Sequence, residues 1–245
     1  MKRSSKHRLD ELLVARHLAD TVDQARGFIG AGRVLVDEQV ADKAGVRFPE
    51  TAALRIRQAK PFVSRGGEKL AGALDVLDVN PAGWVCADIG AATGGFTDCL
   101  VQRGARMVYA VDVAYGMLHW RLRQDARVIV VERTNARDIT RQHIDRSLDL
   151  AVIDASFISL TKLIPPLLPL FGSITRIIAL IKPQFELCRD AVEPGGVIRD
   201  ENLQHEVVEE IRRFGDEQGL ACQGIVPSSL KGAKGNQEYL IYFVG

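Results

Sequence analysis

The chain opens on two short runs with helical periodicity. Leu9, Leu12 and Leu13 recur at the spacing of one helix face, followed by Leu18. A second stretch sets Val22, Ala25, Phe28 and Ile29 on one face before Gly30 and Gly32 end it. The period then falls to two. Val34, Val36 and Val40 alternate around the turn-like Asp37-Glu38, predicting a small hairpin, and Leu54 and Ile56 alternate with Arg55 and Arg57, predicting one more strand. An α-α-β-β unit of about fifty residues has a core that is marginal by itself.

Lys60-Pro61 disfavours continued helix, so the pattern divides into a small α+β domain over 1–59, a linker over 60–63 and a second domain over 64–245. The second domain begins with a helix carrying Leu70, Ala73, Leu74 and Leu77 on one face. Strand and helix then alternate: strand 84–88, helix 95–103, strand 107–112, helix 116–123, strands 127–131 and 149–153, helix 159–170, strand 176–182, helix 201–218, and strands near 221–226 and 238–244. This order predicts an α/β fold, a doubly wound and largely parallel seven-stranded sheet of the Rossmann-like kind. No internal repeat or low-complexity segment interrupts it.

Composition adds one asymmetry. The 47% hydrophobic and 26% charged content suits an ordinary globular protein. The net charge of +1 conceals a basic first quarter, because residues 1–60 hold 12 Lys/Arg against 8 Asp/Glu. That points to a polyanion-binding module beside a neutral catalytic one. Cys86, Cys99, Cys188 and Cys222 form no C-x-x-C pair and no zinc spacing, so they read as thiols of a reducing compartment with no metal site. The basic start runs into Arg8 and Asp10 without an apolar core, and the apolar stretch 163–171 contains Pro165, Pro166 and Pro169. Neither a leader nor a spanning helix is expected, and the expected location is the cytoplasm.

The candidate chemistry starts at residues 84–96. An apolar run ends at Asp88 and a loop with Gly90, Gly94 and Gly95 leads into a helix through Phe96, the opening unit of a nucleotide-binding sheet. Glycines suit a loop whose bare backbone lies against a ligand. The spacing is not G-x-G-x-x-G, and Asp88 would repel a pyrophosphate; it suits a ligand with a cationic end, such as the ammonium and sulfonium of S-adenosylmethionine. Asp112, about twenty residues beyond the loop, is placed to accept hydrogen bonds from ribose hydroxyls. Asn135 and Ala136, after the third strand, are placed near an adenine edge.

Parallel strands bring ligands to their carboxyl ends, and Asp88, Asp112, Asp154 and Lys182 all fall there. Lys69 on the preceding helix and Glu238 at the start of the last strand complete a candidate set of Lys69, Asp154, Lys182 and Glu238. A 2′-hydroxyl is a poor nucleophile that must lose its proton during methyl transfer. An amine serves as base only where burial or a second cation draws its pKa below the ordinary ~10.4. Lys182 is the candidate base, with Lys69 the second cation and the acids as orienting groups.

These motifs carry two resemblances. Arg8-Leu9-Asp10-x-x-Leu13, Gln24-Ala25-x-x-x-Ile29 and Gly32-Arg33-Val34-x-Val36 resemble the S4 RNA-binding module. The resemblance implies that Arg8, Arg26 and Arg33 face structured RNA, with Lys2, Arg3 and Lys6 as a flexible arm. Thr21-Val22 departs from the Ser-Arg usual at that position. Residues 64–245 resemble the FtsJ-like 2′-O-ribose methyltransferases, above all the TlyA branch, which joins an S4 module to that domain. The matching motifs are Ser64-Arg65-Gly-Gly-x-Lys69, Asp88-Ile-Gly-x-x-Thr-Gly-Gly-Phe96, Glu132-Arg-Thr-Asn-x-Arg137, Asp154-x-Ser-Phe157, Ile181-Lys-Pro-Gln-Phe-Glu186 and Lys234-Gly-Asn-x-Glu238. The resemblance implies a Lys69-Asp154-Lys182-Glu238 tetrad and S-adenosylmethionine held at Asp88, Gly90, Gly94, Gly95, Phe96, Asp112, Asn135 and Ala136. The implied substrate is a cytidine ribose of ribosomal RNA, within a subunit or ribosome.

Two glycine-rich loops, Glu193-Pro-Gly-Gly196 and 228–236, are expected at the crevice mouth. Arg65, Lys231 and Lys234 join the RNA-contacting set, the last two suited to a phosphate beside the reacting ribose. Two other readings stay open. The family's older haemolysin label suggests a membrane-active protein, although no long basic amphipathic helix is visible. A non-catalytic RNA-binding assembly factor is the other.

Overall fold

A computed structural model of the chain describes residues 5–58, 60–187 and 195–245. It divides into two units, Met1–Lys60 and Pro61–Gly245.

In the first unit, helices α1 (Leu9–Ala15) and α2 (Val22–Gly30) pack with strands β2 (Val34–Val36), β3 (Gln39–Val40) and β5 (Leu54–Ile56), which form one antiparallel sheet. Leu9, Leu13, Ala25, Ile29, Val34 and Val36 make the core. Two three-residue strands, β1 (Lys6–Arg8) and β4 (Arg47–Pro49), form a separate antiparallel pair. Lys6 therefore belongs to a strand, paired with Pro49, and not to a flexible arm. Lys2 and Arg3 lie outside the described residues. At the atypical Thr21 the helix start is preserved, because its hydroxyl accepts from Gln24 N at 3.1 Å.

The second unit is a seven-stranded sheet. Its strands are β6 (Val85–Ile89), β7 (Met107–Val111), β8 (Val128–Val131), β9 (Leu150–Ile153), β10 (Arg176–Ile181), β11 (Ala221–Pro227) and β12 (Tyr239–Val244). Their order is β11-β12-β10-β9-β6-β7-β8. Strands β6 to β10 run parallel, and β12 is antiparallel to both β10 and β11. Side chains alternate between two buried cores along β6, β7, β9 and β10. Ala87, Ile89, Ala151, Ile153, Ile177 and Ala179 pack on one side, and Cys86, Val108, Leu150, Val152, Ile178 and Leu180 on the other. Both faces are covered, so these strands read as continuous apolar runs.

Helices α3 (Arg65–Val76), α4 (Gly95–Gln102) and α5 (Trp120–Arg123) precede or link the parallel strands, and α8 (Glu201–Glu217) precedes β11. Two expected helices are shorter. Residues 116–119 stay outside α5, with Gly116 at positive φ. The expected helix 159–170 breaks into 3-10 turns at Leu160–Lys162 and Leu168–Leu170 around α6 (Ile164–Leu167), since Pro165, Pro166 and Pro169 lack amide donors. A short helix α7 (Pro183–Glu186) follows β10 directly.

The chain passes from β6 to β7 on one side and from β9 to β10 on the other, so β6 and β9 bound the switch point where such sheets bind ligands. Pro61–Val63 is fastened to α4: Val63 N donates to Asp98 Oδ2 at 2.8 Å, and Gln102 Nε2 donates to Pro61 O at 2.9 Å.

Candidate active site

The catalytic candidates converge as two ion pairs. Lys182 Nζ lies 2.6 Å from Asp154 Oδ1 and donates to Ser156 Oγ at 3.0 Å. Lys69 Nζ pairs with Glu238 Oε2. Lys69, Lys182 and Glu238 are buried, an unusual state for charged groups unless paired. The topology accounts for the meeting. Asp154 directly follows β9, Lys182 follows β10, and antiparallel β12 sets Tyr239 opposite Ile181, leaving Glu238 in the register next to Lys182. Lys69 arrives from α3, whose first turn is capped by Ser64.

All four line a cavity of ≈ 400 Å³ with Arg65, Asp88, Gly90, Gly95 and Phe96. An adjoining cavity, also ≈ 400 Å³, is walled by Ile89, Val111, Asp112, Asn135, Ala136 and Leu163. The two share Gly90, Ala92, Asp154, Ser156 and Phe157, so they form one crevice with a polar lobe and a more apolar one. Such a division suits a ligand with a charged end and a flat apolar end.

Asp88 lies within β6, one residue before its end, and is fully buried. Its Oδ2 accepts from Thr97 N at 2.8 Å and Thr97 Oγ1 at 2.6 Å, tying β6 to α4, while Oδ1 has no partner. Burial pushes this carboxyl up to about 7, against the Thr97 hydrogen bonds, with further upward pressure from Asp154 and Asp112. A buried acid with one unsatisfied oxygen is a ready partner for a cation.

Asp112 follows β7. Its Oδ2 accepts from Ala92 N and its Oδ1 from Ala114 N, both at 2.7 Å, bracing the glycine loop and leaving further lone pairs on each oxygen. Asn135 Oδ1 accepts from Arg137 N at 3.1 Å, which fixes the turn that buries Ala136.

The glycines divide by role. A Cβ on Gly90 would stand 2.8 Å from Asp154 O, and Gly90 has φ +84°. Gly95 lies against Ser64 and Gly67, letting α3 and α4 approach. Gly94 lines neither cavity; at φ +93° it makes the left-handed turn into α4, under Leu118 and Leu122. It serves the turn.

Sequence reasoning gave no role to Phe157, although it lies in the Asp154 motif. It is 89% exposed, has φ +64° and borders both lobes, with its ring 4.8 Å from that of Phe185. Nothing in the sequence signals that exposure. Glu186, whose carboxyl burial pushes above its ordinary range, accepts from Leu160 N at 3.0 Å and so fastens the loop beyond Phe157 to α7.

Of the other RNA-contacting candidates, Arg65 is exposed and lines the polar lobe. Lys231 and Lys234 are exposed on the loop before β12, with Lys234 Nζ donating to Gly195 O at 2.9 Å. Glu193 and Pro194 of the other expected loop lie outside the described residues. In the first unit Arg8 and Arg26 both pair with fully buried Asp10, at 2.8 and 3.0 Å, and Arg33 stacks 4.5 Å from the Phe28 ring. All three positions carry structural work in addition to any surface role. No helix among the described residues is long and apolar enough to cross a membrane.

Comparison with known proteins agrees with this architecture. Residues 62–244 match the FtsJ-like methyltransferase family, and residues 7–51 match the S4 domain. The chain is 44% identical to the Mycobacterium tuberculosis "16S/23S rRNA (cytidine-2'-O)-methyltransferase TlyA", covering 96% of this chain and 88% of that one. It is 36% identical to "Hemolysin A" of Brachyspira hyodysenteriae, over 97% and 99% of the two chains. A solved protein structure from Streptococcus thermophilus superposes with a TM-score of 0.74 at 35% identity, over 98% of this chain and 89% of that one. The chain belongs to the TlyA family, in which an S4 domain is joined to an FtsJ-like methyltransferase domain.

Proposed function

We propose that the protein is an S-adenosylmethionine-dependent ribosomal RNA 2′-O-methyltransferase acting on a cytidine ribose, with Lys182 as general base. The observation that carries this reading is the meeting of two lysine–carboxylate pairs, one buried and one part-buried, in the polar lobe beside the glycine loop. The relative named as an rRNA (cytidine-2'-O)-methyltransferase supports the substrate class.

The crevice fits the cofactor. Asp88, with its unpaired oxygen, supplies the negative partner for the cationic methionine end; Asp112 offers acceptors to a ribose, and Ala136 and Leu163 offer an apolar wall to the adenine. When bound, S-adenosylmethionine supplies the electrophilic methyl group. The chain's own residues do the rest. Lys182 Nζ pairs with Asp154 and donates to Ser156 Oγ, which holds the nitrogen at the crevice for the ribose hydroxyl and its proton. Lys69 and Glu238 hold the ribose in line, and the exposed Phe157 ring offers a stacking face for an unstacked base. Proton transfer of this kind contributes ~10²–10⁴ in rate, and alignment contributes the remainder.

Mapping 2′-O-methyl groups on ribosomal RNA after incubation with the protein and labelled cofactor tests the reading. New label at a cytidine, absent with Lys182→Ala, is the expected result. Absence of label from every RNA, with cofactor bound, would sink it.

A further inference from the structure

A second recess lies across the segment that carries Glu238. Gln237 and Tyr239 line it, while Glu238 between them lines the catalytic lobe. At ≈ 870 Å³ it has about twice the catalytic lobe's volume. Lys231 and Lys234 bring two ammonium groups to its walls, alongside Arg199, the His205 ring and the Glu201 carboxylate.

We propose that this cleft holds the sugar–phosphate backbone of the substrate RNA next to the target nucleotide, an inference that rests on the RNA-methyltransferase reading above. The two exposed lysines on its walls suit a polyanion. The cleft is also a built feature. Its floor is tied by buried Gln204, which donates to Ile198 O at 2.8 Å and accepts from Tyr239 Oη at 2.9 Å. Its rim is tied by buried Asn236, which accepts from Ile198 N at 2.9 Å and donates to Gly196 O at 2.7 Å. Lys234 sits in this rim at φ +64°, a strained conformation for a lysine, and stays exposed. Strain of this kind persists where surrounding contacts over-determine it, and it clusters at ligand clamps.

The same loop joins the two sites. Gly232 packs against the Glu238 carboxylate so closely that a Cβ would stand 2.0 Å from Oε1, while Lys231, Lys234 and Gly235 of that loop face the cleft. A strand whose ribose reaches Lys182 crosses this loop and continues past Lys231 and Lys234. The cleft acts on phosphates, so it positions the strand and reads no base.

The test uses the full chain and purified ribosomal subunits lacking the modification. Binding is measured across a salt series, together with methylation kinetics, for the wild type, a Lys231→Ala/Lys234→Gly double variant and Lys234→Gly. The glycine keeps the positive φ and removes the amine. The double variant is expected to raise KM for RNA at least fivefold and to reduce the slope of log affinity against log salt by about two. Its kcat at saturating RNA and its cofactor affinity stay within twofold, which also shows that it folds. Lys234→Gly is expected to lower the slope by about one. RNA affinity and salt slope equal to wild type in both variants would overturn the proposal, as would competition by polyglutamate as effective as by RNA. Wild-type protein that binds subunits without methylating them removes the catalytic reading, and the binding series then still decides the cleft. Wild-type protein that binds no RNA at any salt overturns both.

Discussion

Lys182 Nζ stands 2.6 Å from Asp154 Oδ1 although 28 positions separate them in the chain, because β9 and β10 are parallel neighbours whose ends open at one edge. The pair fixes the nitrogen in place. Lys182→Met keeps the side-chain length and removes the amine, so kcat should fall by ~10²–10⁴. Cofactor affinity should stay within about threefold, since the groups placed to hold the cofactor are untouched. Calorimetry beside single-turnover kinetics checks both, and a loss confined to cofactor binding would contradict the assigned role.

Gly90 couples the cofactor loop to the same pair. An added Cβ would lie 2.8 Å from Asp154 O and 3.1 Å from Ala155 N, both backbone atoms that cannot swing away. The positive φ adds a penalty for any L side chain. Gly90→Ala should destabilise the protein by about 2–4 kcal/mol. It should also cut kcat through displacement of Asp154, at a temperature where the variant is still folded. Thermal unfolding and activity on the same sample test this, and a neutral substitution would show that the loop is slack.

Phe157 gives the opposite combination. With 89% of the residue exposed and its backbone at φ +64°, it contributes little burial and carries strain. Phe157→Ala should leave the melting temperature nearly unchanged and lower kcat/KM for RNA at least tenfold, consistent with loss of one base-stacking contact of about 1–3 kcal/mol. If activity survives intact, the base is held elsewhere.

Much of this was legible from periodicity. Strands β6, β7, β9 and β10 are buried on both faces, so each reads as an apolar run with a polar residue at or next to its end, and that alone gathered Asp88, Asp112, Asp154 and Lys182 at one edge. Strands β1 and β4 were illegible because Lys6–Arg8 and Arg47–Pro49 carry no alternating apolar residues, and their pairing spans about forty positions. The helix expected over 159–170 breaks because three prolines interrupt its apolar spacing. Gly94 and Gly95 look alike in sequence; only the packing of Leu122 over one and Ser64 over the other separates them. The unpaired oxygen of Asp88 depends on which neighbours are absent, which no linear pattern records.

In the first unit, Asp10 is fully buried and held well below the ordinary carboxylate range by the Arg8 hydrogen bonds, with Arg26 assisting against the cost of burial. A depressed folded-state value means stability that is present above the unfolded value near 4 and is lost as pH falls toward the folded one. Asp10→Ala should cost on the order of 2–3 kcal/mol, below the cost of breaking a fully buried pair because both arginines are part-exposed. Limited proteolysis should show residues 5–58 cleaved first, with cofactor binding retained.

Asp88 should make both stability and cofactor binding pH-dependent, with opposite signs. Its folded value of about 7 lies above the unfolded value near 4, so the folded state binds the extra proton. The stability this contributes is fully present below about pH 4 and is lost as pH rises through about 7. A cationic ligand prefers the ionised carboxylate, so affinity for S-adenosylmethionine should instead rise from pH 6 to pH 8, with a proton released on binding. Asp88→Asn keeps an oxygen for Thr97 and cannot ionise. In that variant the affinity should be at least tenfold weaker at pH 8 and nearly flat over the same interval. Calorimetry in two buffers of different ionisation enthalpy reads the proton release directly; a wild-type affinity equally flat with pH would remove Asp88 as the partner of the cationic end.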